Sequence, residues 1–457
     1  MQGEQFKARQ SDCFTFSSHA YDPVSGIATL SYSVDGRFLQ EKVTFPWAPW
    51  PVDASRQAAF FKALELLHLV AGISYYKAGL ARRIDMGECR VDPALAGFLN
   101  EFYLEGLGEF AYVNQLDLSG VINFEANSRE GSVLPGETRQ VQSILSLDLP
   151  ERALVAMGGG KDSLVCLQML RNAGIEVQPA CVGGSDLIGE TAKAAGLPLI
   201  RVQRQLAPDL SAMNADGAWN GHVPVTAINS AILLCAALLY GYRHIVFANE
   251  SSANEATLKD DRGRDINHQY SKSISFEKSF RKIIRQRICA DVEYFSLLRP
   301  FSEIAITRQF AKMPEFHHVF SSCNRNFHLD GPRIEGRWCR DCPKCRFAAL
   351  ALAIFMPPEH LIEIQGKDLL DDEKQLDGFK ALCGLEKHKP FECVGSIAES
   401  RAAMRYLSRS PQWQGRRVVQ LLAEFEEIRD SGELVLDPDP ESEHCIPEAI
   451  AAELNAV

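Results

Sequence analysis

Apolar and polar residues alternate over residues 28–34 and again over 38–45, on either side of Asp35-Gly36, and this predicts a β-hairpin. Phe60, Leu64, Leu67 and Ala71 recur at helical spacing and predict a helix over 59–71. The stretch 130–146 is polar, contains Pro135-Gly136, and reads as a linker. Beyond Arg152 the pattern changes. Short apolar runs at 153–157, 177–182, 197–202 and 245–248 read as strands, and the segments between them, notably 163–172 and 227–239, have helical periodicity. Strands alternating with helices predict an α/β fold, a doubly wound and mostly parallel sheet covered by helices on both faces. The expected organisation is an α+β domain over 1–148, the sheet domain over 149–305, and a Cys-rich helical region over 306–457, with the apolar run 347–355 behind the cysteines. The acidic stretch 424–443 reads as a solvated surface.

Composition narrows the class. The chain has 457 residues, 46% hydrophobic and 23% charged, a globular balance that excludes a mostly disordered or fibrous protein. Its net charge of −11 argues against nucleic acid as a general partner. The N-terminus lacks a basic-then-apolar leader pattern, and the apolar stretch 223–240, interrupted by Thr226, Asn229 and Ser230, is too short and polar to span a membrane. Thirteen cysteines, an odd number spread along a long chain, do not form a disulfide framework and point to a reducing cytoplasm.

The strongest local signal is the run from Ala153 to Leu170, ALVAMGGGKDSLVCLQML. A strand enters Gly158, Gly159, Gly160, Lys161, Asp162 and Ser163, and a helix follows. Glycines let backbone N–H groups approach an anion, and the helix N-terminus adds unpaired donors and partial positive charge. Lys161 adds a full charge, Ser163 a hydroxyl donor, and Asp162 and Ser163 are placed to cap the helix. The Walker spacing is absent because Asp162 follows Lys161, and G-x-G-x-x-G is not met. The bland alternative is a Gly-rich turn that binds nothing. A second segment, HIVFANESSANEATL, places Asn249 and Glu250 just after a buried strand, where α/β sheets bind ligands. Glu250 is the first choice for a metal or pocket contact, and a helix cap is the alternative.

Cys323, Cys339, Cys342 and Cys345 form two overlapping C-x-x-C turns with an upstream thiol, a set suited to a structural Zn²⁺; iron–sulfur, and unmetallated thiols, are the alternatives. His328 is a substitute ligand. Residues 259–287 hold nine Lys/Arg against four Asp/Glu, so Arg262, Arg264 and Lys272 are candidates for a phosphorylated or carboxylated substrate, with a solvated helix face as the alternative. His222 and His268 lie in polar turns and lead the acid/base candidates. Cys181, at a strand end, and Cys393 follow, because a positioned thiol also shuttles protons.

The glycine loop resembles the SGGxDS loop of the PP-loop ATP pyrophosphatases over residues 150–300, with Gly158 in place of the first Ser. That resemblance implies a PP-loop (adenine nucleotide α-hydrolase-like) fold, ATP and Mg²⁺ as ligands, and pyrophosphate held at 158–163. The cysteine run is similar to that of the 7-cyano-7-deazaguanine synthases. Taken together, MGGGKDSLV, NGHVPVTAINS, FANESSANEAT, NHQYSKSISFEKSF, SSCNRNFH and WCRDCPKC, with SYYKAG (74–79) and LNEFYLEGLGEFAYVN (99–114), resemble the UDP-N-acetyl-α-D-muramoyl-L-alanyl-L-glutamate epimerases of peptidoglycan synthesis. The resemblance implies ATP-dependent inversion of the terminal L-Glu of a UDP-muramoyl dipeptide. Adenylation removes the carboxylate charge that opposes α-proton loss, and the adenylated dipeptide has the further option of closing to an oxazolone. Two other readings stay open: a PP-loop enzyme modifying a nucleobase or tRNA, and a nucleotide-binding module without catalysis.

Overall fold

A computed structural model describes the chain except residues 1–9, 48, 52, 128–144, 255–257, 260–262, 264, 327–333, 387–389, 391, 393 and 456–457. The strands of the main sheet are β1 (Cys13–Asp22), β2 (Ile27–Val34), β3 (Arg37–Thr44), β4 (Arg83–Asp85), β5 (Arg152–Ala156), β6 (Glu176–Val182), β7 (Ile200–Gln205), β8 (His244–Phe247) and β9 (Glu293–Ser296). The helices used below are α1 (Ala54–Ala71), α2 (Ile73–Gly79), α3 (Pro93–Gly106), α4 (Gly108–Val113), α5 (Lys161–Asn172), α6 (Asp186–Ala194), α7 (Asp209–Ala215), α8 (Val225–Tyr240), α9 (Ile274–Ile283), α10 (Glu303–Ala311) and α11 (Pro343–Ala353). The architecture is α/β: a mostly parallel sheet of nine strands, in the order β9-β8-β5-β6-β7-β3-β2-β1-β4, with many helices. Helical crossovers join β5, β6 and β7, the connection that parallel neighbours require.

The chain divides into two compact units, neither continuous in sequence. The first comprises 1–154, 200–245 and 259–295, and the second 155–199, 246–258 and 296–457. In the first unit the predicted hairpin forms, with Val34 opposite Arg37 and Asp35-Gly36 at the turn. β3 also pairs antiparallel with β7, Lys42 opposite Gln205, so the N-terminal strands extend the sheet instead of forming a separate one. This corrects the strand predicted at 197–202. Leu197 N–H closes the end of α6 on Ala192 O, Pro198 follows, and residues 203–205 become strand because Lys42–Thr44 provide their partners. A buried bidentate pair ties the same strands: Arg204 Nε donates to Glu41 Oε1 at 2.7 Å and Nη2 to Oε2 at 3.1 Å. Tyr75 of α2 donates to the same carboxylate at 2.8 Å, and Arg204 also donates to Ser74 at 3.0 Å, which fixes α2 against the sheet.

The helix predicted at 59–71 begins five residues earlier, because Asp53 caps it by accepting from the Ser55 and Arg56 N–H groups. The continuous stretch Ala54–Gly79 is long and apolar enough, by length and composition, to cross a membrane, a feature that the reading of 223–240 alone missed. Its most apolar window is 78% buried within the fold, as in a core helix, and α1 packs along the equally buried α8. In the second unit α10 packs on α5 and on α11.

Candidate functional site

In the second unit the chain leaves β5, crosses the three glycines and enters α5 at Lys161, two residues before the predicted start. Gly159 has φ +78°, a conformation that a side chain disfavours. Gly160 is the N-cap and makes no side-chain cap bond, so neither Asp162 nor Ser163 caps this helix as predicted. Asp162 lies in the first turn, and Ser163 Oγ donates to Gly160 O at 3.1 Å. Among the described residues no side chain accepts from the leading N–H groups of α5, an arrangement in which a helix start can bind an anion. A Cβ on Gly158 would meet nothing within 4 Å, so the loop does not need glycine there for space. A Cβ on Gly160 would sit 3.4 Å from Ser322 Oγ.

Lys161 is buried, and its ammonium contacts both Asp162 and Glu303, the first residue of α10. Burial opposes the charge on Lys161, yet the two carboxylates hold its pKa above the usual lysine value. Burial pushes the Glu303 carboxyl up against the pull of Lys161, and Asp162 and Glu250 push it further. Glu250 is buried after β8. Ser252 Oγ donates to its Oε1 at 3.1 Å and Ala253 N–H to its Oε2 at 3.2 Å, so it caps the following turn while facing Glu303. Asn249 donates to Ser296 Oγ at 2.9 Å. Lys161, Asp162, Glu250 and Glu303 form one charged cluster at the mouth of the glycine loop.

The four cysteines also converge. The sulfurs of Cys323, Cys339, Cys342 and Cys345 lie within 4.8 Å of one another, with Cys339–Cys345 at 3.7 Å and Cys342–Cys345 at 3.5 Å. Four thiolates at 2.3 Å around one tetrahedral Zn²⁺ stand about 3.8 Å apart, so the set fits that ion. Backbone N–H groups of Cys339 and Cys342 donate to Cys323 and Cys339 sulfurs at 3.3 Å, and Arg340 turns the knuckle at φ +63°. Contacts with the Cys323 and Cys345 sulfurs hold the Cys342 thiol well below the usual range. This cluster adjoins the glycine loop: Ser321 N–H donates to Gly159 O at 3.0 Å, and Cys323 N–H donates to Ser321 Oγ at 3.1 Å.

The first unit holds the histidines. His222, His268 and Lys272 lie close enough to interact, and His222 Nδ1 is 3.3 Å from Glu109 Oε2. Burial first, then His268 and Lys272, lower His222 to about 4, so it is a neutral base at physiological pH with a carboxylate on its other nitrogen. The turn carrying it is pinned on several sides. Trp219 N–H donates to Ala78 O at 3.1 Å, Asn220 Oδ1 accepts from Gly221 N–H at 2.9 Å, and Asn114 donates to Asn220 O at 3.3 Å. A Cβ on Gly106 would press into Pro224 at 2.9 Å. The 270–275 segment is held to α3 by Tyr270 and Ser275, which donate to Glu101 at 3.1 and 3.2 Å.

Of the sequence candidates, the structure gathers Lys161, Asp162 and Glu250 in one cluster, the four cysteines in a second, and His222, His268 and Lys272 in a third. Cys181 is buried at the end of β6 and donates to Gly183 O at 3.5 Å. Arg262, Arg264, Cys393 and His328 lie outside the described residues, as does most of the predicted linker. Sequence reasoning missed Glu303, Glu109 and Ser321, whose roles depend on contacts between distant segments. Glu303 follows a Ser N-cap and Glu109 lies within the 99–114 motif, but neither position by itself marks a site.

Comparison with known proteins gives a consistent result. Residues 5–297 match the model of the MurL N-terminal domain, and residues 319–433 that of the MurL C-terminal domain. A relative from Xanthomonas oryzae pv. oryzae, named UDP-N-acetyl-α-D-muramoyl-L-alanyl-L-glutamate epimerase, is 44% identical over 97% of this chain and 97% of its own. Relatives of the same name from Micromonospora sp. and Salinispora tropica are 40% and 39% identical, each over 91% of this chain and 91% and 89% of their own.

Proposed function

The chain belongs to the MurL family, and we propose that it catalyses the reaction in its relatives' name: epimerisation of the terminal glutamate of UDP-N-acetylmuramoyl-L-alanyl-L-glutamate, within peptidoglycan synthesis. The observation that carries this reading is similarity along nearly the whole chain to a relative of that name, not to one domain alone. We further propose that the second unit is a PP-loop-type nucleotide site. The N–H groups of Gly159, Gly160 and the first turn of α5 hold the phosphates of ATP, and Lys161 neutralises the leaving pyrophosphate. Asp162 and Glu250 are the residues to hold Mg²⁺, which supplies charge neutralisation on the triphosphate. Cys323, Cys339, Cys342 and Cys345 hold a structural Zn²⁺.

The chemistry follows from the substrate. A free α-carboxylate opposes loss of the neighbouring proton, because the carbanion would stand beside a negative charge. When the carboxylate oxygen attacks the α-phosphorus of ATP, pyrophosphate leaves and the acyl group becomes neutral and activated. His222, neutral and oriented by Glu109, takes or returns the α-proton, and His268 is the second acid/base candidate. Water then releases AMP. Lys272 is an anion contact for the substrate. None of the described cysteines is in a disulfide, in keeping with a reducing cytoplasm.

The test is incubation with ATP, Mg²⁺ and the L-Glu substrate in D₂O, followed by chiral analysis of released glutamate. D-Glu carrying α-deuterium together with AMP is the expected result. L-Glu without label overturns the epimerase reading. AMP without inversion leaves adenylation but moves its product to another fate.

A further inference from the structure

Lys77 is a buried cation whose partners are incomplete. All seven residues of α2 are buried, and Lys77 is 4% exposed. Among the described residues its ammonium has one hydrogen-bond partner, Asn220 Oδ1 at 2.8 Å, and no carboxylate. Burial alone lowers it, to about 8, with no neighbouring charge contributing. A buried ammonium facing only a neutral amide is unfavourable unless something anionic completes it. The bond is not needed to fix the turn, because Gly221 N–H already donates to the same Asn220 oxygen at 2.9 Å. Asn220 itself is exposed, so the ammonium lies one side chain below the surface, two residues from the neutral base His222.

We infer that Lys77 and Asn220 form a carboxylate-binding subsite that receives the side-chain carboxylate of the substrate's terminal glutamate. The ammonium has N–H bonds beyond the one used on Asn220, and the Asn220 amide nitrogen adds another donor. Together they offer the two oxygens of one carboxylate a charged and a neutral partner. A diphosphate would need more positive charge than this pair supplies. The assignment rests on the epimerase reading: once the α-carboxylate is consumed in an adenylate, the side-chain carboxylate is the remaining full charge on that residue. The subsite distinguishes glutamate from its uncharged isostere glutamine.

The experiment compares UDP-N-acetylmuramoyl-L-alanyl-L-glutamate with the L-glutamine-terminated analogue, by calorimetric binding without ATP and by AMP release with ATP. The wild type should prefer the glutamate compound by on the order of 30-fold or more. In Lys77→Met that preference should fall to near unity, chiefly through weaker binding of the glutamate compound. Asn220→Asp is the second variant, in case the first does not fold. It places a carboxylate beside the ammonium and should also erase the preference. A wild type that turns over the glutamate compound while both variants keep its full preference overturns the Lys77 assignment alone. A wild type that neither binds nor turns over the glutamate compound overturns the epimerase reading and this assignment with it.

Discussion

Replacing Lys77 with methionine should stabilise the protein. Folding moves its ammonium from 10.5 to about 8 through burial. At about 1.4 kcal/mol for each tenfold change in proton affinity, the charged form burdens the fold by about 3 kcal/mol. Methionine matches the stem and removes the charge. The variant loses the bond to Asn220, worth about 1 kcal/mol, so the net gain at pH 7 is about 2 kcal/mol. The pH dependence fixes the cause. The folded value lies below the unfolded one, so between pH 8 and 10.5 the unfolded wild type holds the extra proton and its stability rises with pH. The advantage of Lys77→Met is therefore full below pH 8 and gone by pH 10.5. Urea unfolding of both proteins at pH 7, 9 and 10.5, compared at equal slope, measures it. A variant less stable than the wild type at pH 7, or a gap unchanged at pH 10.5, refutes the reasoning.

His222 should set the acid limb of α-proton exchange near pH 4 instead of 6.5, since burial and its cationic neighbours hold it neutral above that. His268→Gln removes one of those neighbours, so the limb should move upward in the pH profile of deuterium incorporation, and an unmoved limb counts against His222 as the base. Gly159→Ala forces a side chain into φ +78° and should cost about 1–2 kcal/mol with a marked rise in the KM for ATP, whereas Gly158→Ser, with open space at its Cβ, should change stability by less than about 0.5 kcal/mol. Thermal melts and ATP-dependent AMP release check both. Cys342→Ser, or treatment with a chelator, should remove about one equivalent of metal per chain and raise the KM for ATP, because the cluster holds Ser321 on the carbonyl of Gly159. Metal analysis showing no zinc in the purified wild type removes the basis for this expectation.

The local pattern settled much of the fold. Alternation around Asp35-Gly36 set the hairpin because a two-residue turn and its register are local properties. The helix after the glycines and the core helices also followed from spacing, with ends displaced where a cap decided them, as Asp53 does for α1. Residue types and spacing brought the glycine loop and the cysteines to attention, because a phosphate cradle and a C-x-x-C knuckle are built within a few residues. Contacts over long sequence separations were not readable. β3 pairs with β7 across more than 150 residues, and no periodicity in either segment encodes the other as its partner. Glu303 reaches Lys161, Glu109 reaches His222, and Asn220 receives Lys77 in the same way. A lysine in an apolar helix looks like an interruption in the sequence. Only the packing around α2 shows that no carboxylate among the described residues meets it, because burial and the identity of a partner are properties of the folded chain.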